Sequence, residues 1–112
     1  MASYLLQAGY TPEAWASLVA KPQDRSAVIQ GAIEKLGGKV ERFWLSLGDY
    51  DVVGVVEMPD SVSAAAFSMA LSAGGACRVV KTTALLTPAE GLEAMKKAAK
   101  CGYSPVTKSA KA

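Results

Sequence analysis

The 112-residue sequence contains no histidine. That absence removes the commonest general base, the usual partner of a nucleophilic serine or cysteine, and the proximal ligand of most haem sites. Any catalysis must use tyrosine, carboxylate, lysine, arginine or backbone groups. Cysteine is scarce too. Cys77 and Cys101 make neither a disulfide framework nor a metal set, and each reads as a reduced thiol. No metal and no cofactor is expected. No apolar run approaches the roughly eighteen residues that a bilayer span requires, and the opening MASYLLQAGY lacks the basic flank of a secretory signal. The expectation is a cytoplasmic chain with no membrane partner.

Charge of one sign is also thin over most of the chain. Net charge is +2, but residues 1–87 hold seven Lys/Arg against eight Asp/Glu, and residues 88–112 hold five lysines against two glutamates. A nucleic-acid role would rest on that lysine-rich end alone, so no nucleic-acid partner is expected. Phosphate loops are missing as well. LGGK (36–39) and AGGAC (73–77) end helices and lead into strands, the reverse of the strand–loop–helix order that cradles phosphate.

What is present reads as one domain. Hydrophobic residues make up 51% of the chain and charged residues 20%, enough for a core without staples. Residues 1–100 form that domain, and residues 101–112 are expected to be a mobile basic tail. SYLLQAGY (3–10) predicts a strand. Thr11 and Pro12 then suit the cap and first position of a short helix over 12–19. PQDRSAVIQGAIEKLGG predicts a longer helix, with Pro22 in its first turn and Val28, Ile29, Ala32, Ile33 and Leu36 as its apolar stripe. Strands follow at 39–47 and 50–58. An Ala-rich helix capped by Asp60 or Ser61 comes next, and then a strand over 76–86. Thr87, Pro88 and Glu90 make a capping box that opens a last helix running to about Lys100. The order βαββαβ plus a C-terminal helix predicts an α+β, ferredoxin-like plait, with a four-stranded antiparallel sheet and its first and third strands central.

Gly48-Asp49 between the middle strands predicts a tight hairpin, since Gly48 supplies a positive φ and Asp49 tolerates turn conformations. Leu47 then pairs with Tyr50, Leu45 with Val52 and Phe43 with Gly54. This face belongs against the helices, with Tyr50 packed in the core and its hydroxyl satisfied. The opposite face carries Arg42, Trp44 and Ser46 beside Asp51, Val53, Val55 and Glu57, joined by Leu5. A strand apolar on both sides is covered on both sides. A second copy is therefore expected on Leu5, Trp44, Val53 and Val55, making a homodimer or higher oligomer.

The segment GGKVERFWLSLGDYDVVGVVEMPD, followed by an Ala-rich helix and RVVKTTALLTPAE, resembles the GYD family of small bacterial proteins. The family name reads onto Gly48, Tyr50 and Asp51, with Asp49 in the variable place. The resemblance covers residues 3–96 and implies a dimeric α/β-barrel relative of the plait. It implies no activity and no catalytic residue set.

Candidate ligand-binding residues are Arg42, Trp44, Asp51 and Glu57. Arg42 suits a carboxylate or phosphate in a pocket walled by Trp44. Its alternative is a cross-strand ion pair with Glu57. Asp51 could serve a backbone amide, a partner's cation, a ligand or a proton transfer. Trp15 could cover an end of the core or cap a cavity mouth. The reading is a homo-oligomeric small-molecule-binding or accessory protein using the sheet face and an inter-subunit cavity. The alternatives are a cofactor-independent oxygenase- or isomerase-like enzyme and a purely structural assembly module.

Overall fold

The computed structural model of the chain describes residues 1–106. Residues 107–112, half of the expected basic tail, lie outside the described residues. The elements in chain order are β1 (Ala2–Tyr10), α1 (Pro12–Ala20), α2 (Ser26–Lys35), β2 (Lys39–Leu45), β3 (Val52–Met58), α3 (Ser61–Ala73), β4 (Cys77–Leu85) and α4 (Pro88–Ala98). The strands form one sheet in the order β2-β3-β1-β4, every neighbouring pair antiparallel. This is the α+β ferredoxin-like arrangement, with β1 and β3 in the middle.

The helices begin where side chains can satisfy their free amides. Thr11 Oγ1 accepts from the Ala14 amide ahead of α1, and an Asp60 carboxylate oxygen accepts from the Ser63 amide at 2.8 Å ahead of α3. At α4 both halves of the Thr87–Glu90 capping box are made. The start of α2 departs from expectation. Pro22 lies outside the helix, because the Asp24 carboxylate takes the Ser26 amide at 2.8 Å and its hydroxyl as well. That local turn delays the helix to Ser26, and residues 22–25 become a connection.

Helices α2 and α3 cover one face of the sheet, over a core of Tyr4, Ile33, Val56, Met58, Ala64 and Phe67. Ile33, Met58 and Val56 are fully buried, and each such side chain contributes roughly 1.5–3 kcal/mol. The core is not centred. It fills the end of the sheet near Met58, whereas the end near Tyr10 carries the small residues Ala8, Gly54, Ala70, Gly74 and Ala76. A space is left there between sheet and helices.

The hairpin keeps its expected register but not its expected loop. Leu45 pairs with Val52, Trp44 with Val53 and Phe43 with Gly54. The strands part at Leu45 and Val52, so Leu47 and Tyr50 are not paired. The loop is closed instead by the Ser46 amide on the Asp51 carbonyl and the Ser46 hydroxyl on the Tyr50 carbonyl, both 2.8 Å. Leu47 consequently projects into solvent, and half-buried Tyr50 is outside the core cluster. Alternation assigns a face only to residues inside a ladder, and Tyr50 has left it. A β-bulge lies at Glu41, between Val40 and Arg42.

Helix α4 buries none of its residues; Leu92 and Met95 are exposed. The radius of gyration is 18.3 Å and the longest extent 63 Å, against about 13 Å for the radius of a compact chain of this length. Helix α4, with no buried residue, stands off the body and lengthens the molecule. Among the described residues no helix is long and apolar enough to cross a membrane.

Candidate functional site

The end of the sheet near Tyr10 is organised by one carboxylate. Asp51 Oδ2 accepts the Tyr10 amide at 2.8 Å and the Trp15 indole N–H at 3.1 Å. The Asp51 amide in turn donates to the Ala8 carbonyl at 2.9 Å. The hairpin loop, the last residues of β1 and the first turn of α1 are thus tied at one residue. Arg78 of β4 adds a fourth element. Its Nη2 donates to the Asp49 carbonyl at 2.8 Å and lies 3.9 Å from Asp51 Oδ2. Gly9 makes room for it, since a Cβ there would sit 2.6 Å from that nitrogen. Gly48 turns the loop at φ 118°, which side chains rarely adopt.

With α1 so anchored, the Trp15 ring meets the Tyr10 ring edge to face, centroids 5.3 Å apart. Two neighbouring cavities open beside this pair. The outer one, about 650 Å³, is walled by Trp15, Leu18, Val19, Leu45 and the 22–25 connection. The inner one, about 270 Å³, lies between sheet and helices against Ile29, Val52, Val56, Phe67, Leu71 and Cys77. Tyr10, Arg25 and Phe43 line both, so the cavities meet at these three side chains. This is why Leu45, on the helix-facing side of β2, is exposed.

The polar groups here are few. Burial pushes the Tyr10 phenol above its ordinary value, with the nearby Cys77 adding to the rise and the Arg25 charge opposing it. Burial likewise raises the Cys77 thiol. Both therefore stay protonated at neutral pH and act as hydrogen-bond donors rather than bases. Among the described residues none hydrogen-bonds the Tyr10 hydroxyl. One guanidinium N–H of Arg25 reaches Gln23 Oε1 at 3.2 Å.

The residues singled out in the sequence fall into two places. Asp51 is held at the β1–α1 corner with its carboxylate already committed. Arg42, Trp44 and Glu57 lie on the sheet face that the helices leave open, and none of the three lines either cavity. Register sets that face out in rows. One row holds Arg42, Val55, Leu5 and Thr83, and the next Trp44, Val53, Gln7 and Lys81. Trp44 is 47% exposed, and Leu5, Val53 and Val55 are half-buried. The Arg42–Glu57 ion pair is not formed among the described residues. Arg42 lies over the Trp44 ring, 6.0 Å from its centre. The bulge instead brings Glu41 beside Glu57, whose hydrogen bond and charge hold the Glu41 carboxyl above the ordinary carboxylate range.

Tyr10, Arg25 and Cys77, which do line the inner cavity, went unmarked in the sequence. The signal for them was indirect: small residues at Ala8, Gly54, Ala70, Gly74 and Ala76 leave volume where a plait normally packs large side chains. No curated protein matches the chain. The GYD domain model matches residues 4–95, which takes in β2, β3 and β4, all of β1 but its first two residues, the Asp51 knot and both cavity walls; the chain belongs to the GYD domain family.

Proposed function

We propose that this chain is a homodimeric small-molecule-binding or accessory protein, with its ligand in the cavity between sheet and helices and its second copy on the open sheet face. The single observation behind the ligand is the pair of meeting cavities, apolar in most of their lining, with Tyr10 and Arg25 where they meet. Such sites combine apolar walls with a few placed polar groups. The protonated state of Tyr10 and Cys77 supports binding over catalysis, because neither is poised as base or nucleophile.

The open face serves the partner rather than the ligand. Leu5, Val53, Val55 and Trp44 form an apolar centre, and Lys39, Arg42, Glu57 and Lys81 stand around it. That pattern of apolar core and charged rim suits an interface between copies. Native mass spectrometry of the purified protein tests both parts together. The expected spectrum shows a two-chain species carrying a retained small molecule. One-chain species at micromolar concentration would overturn the dimer. An unliganded mass, with no stabilisation by any of a panel of small apolar compounds in thermal melts, would overturn the ligand.

A further inference from the structure

We infer that the inner cavity takes a flat apolar acid, an aromatic or alicyclic carboxylate, with its carboxylate held between Arg25 and the Tyr10 hydroxyl. This rests on the ligand-binding reading above and adds charge and shape to it. The charge follows from the lining. Among the described residues, Arg25 is the only formally charged side chain that touches the inner cavity. Asp24, which could repel an anion, borders the outer cavity alone, and its carboxylate is occupied by the Ser26 amide and hydroxyl. Tyr10 at the neck and Cys77 deeper in the inner cavity remain protonated, so with Arg25 they offer donors to a ligand. Donors converging on an apolar chamber recognise an acceptor, and a planar guanidinium matches a carboxylate with two parallel bonds. One Arg25 N–H goes to Gln23; the rest of its donor fork is not engaged by the described residues.

Shape follows from the walls. The chamber lies between two layers, with Val52, Gly54 and Val56 of β3 on the sheet side, Ile29 of α2 and Phe67 and Leu71 of α3 on the helix side, and Phe43 of β2 also in its lining; a space between layers suits a flat ligand. Gly54 deepens the floor, where a Cβ would meet the Phe43 ring at 3.3 Å and the Arg42 carbonyl at 3.2 Å. At about 270 Å³ the slot falls just below the usual range for small-molecule sites, about 300–1,000 Å³. One or two fused rings suit it, and a larger ligand would have to extend past Tyr10, Arg25 and Phe43 into the outer cavity.

The test compares naphthoate with its neutral isostere naphthamide, same ring isomer, titrated calorimetrically into the full chain near neutral pH. Methyl NMR of Ile29 and Leu71 reports whether the probe enters the slot. Both probes are expected to shift those methyls, with naphthoate bound about tenfold more tightly, as a charge-assisted hydrogen bond supports. Arg25→Gln is expected to bring naphthoate down to the level of naphthamide. Arg25→Lys should restore part of the preference. Arg25 is exposed and makes no side-chain cap to α2, so these variants should fold, which circular dichroism checks. Equal affinity of the two probes in the slot would end the inference and leave the ligand-binding reading standing. A naphthoate preference that survives Arg25→Gln would overturn Arg25 as the anchor. No shift of either methyl with either probe at millimolar concentration would overturn the inference, and the ligand-binding reading would then stand or fall on the panel of compounds in thermal melts.

Discussion

Asp51 carries two short hydrogen bonds from groups that would otherwise lose their partner in a partly dry corner, the Tyr10 amide and the Trp15 indole. Its ion pair with Arg78 is longer, at 3.9 Å, and the arginine is 46% exposed. The two interactions therefore differ in worth. Replacing Asp51 by alanine strands two donors and should cost about 2 kcal/mol. Arg78→Ala removes a screened, half-exposed charge and should cost less than about 1 kcal/mol. Urea unfolding of the two variants checks the order. Only Asp51→Ala should also shift the Trp15 emission, because only it releases α1. At the same corner, the raised Tyr10 and Cys77 acids contribute to the alkaline limit. A raised folded value means that the native state holds its proton longer than the unfolded chain. That stability is complete below the ordinary values of 9.0 for the thiol and 10.0 for the phenol, and it is lost as pH climbs from them through the folded values. Tyr10→Phe should flatten the fall in melting temperature above the phenol's ordinary value, as thermal melts across that range would show.

Among the elements, those built on local chemistry were legible. Thr11, Asp60 and the Thr87 box cap three helices because a side-chain oxygen three residues back is a local matter. Centring the hairpin on Gly48-Asp49 placed its register, and Leu45 with Val52 and Phe43 with Gly54 pair as that centring predicts. The loop was not legible. A Gly-Asp pair permits a two-residue turn, but the Ser46 hydroxyl closes a wider one, and Asp51 is drawn away by donors about forty residues earlier in the chain. No local pattern encodes those partners. The site was hidden for a related reason, as a cavity is read from missing volume and the sequence displays only what is present. Helix α4 is well capped, yet among the described residues no tertiary packing buries any of its side chains, and helices draw most of their stability from packing. Its amides should exchange with solvent orders of magnitude faster than those of β1 and β3, as hydrogen exchange measured residue by residue would report.

For the whole molecule, the decisive surface is the open sheet face. Val55 sits in its middle, between Arg42 on β2 and Leu5 on β1. Val55→Glu would bury a charge in the proposed interface without touching the helix-side core. It should yield monomers in sedimentation, with unchanged circular dichroism and with naphthoate binding retained. Loss of the fold would instead place Val55 in the chain's own core. The bulge at Glu41 bears on how such copies can meet. Strand β2 is an outer strand of the sheet, and an unbroken outer strand invites another chain to lengthen the sheet indefinitely. A kink at that position, flanked by Lys39 and Arg42, spoils the template. Edge-to-edge addition is disfavoured there, so the association proposed on the open face would end with a closed pair instead of running on into a fibre.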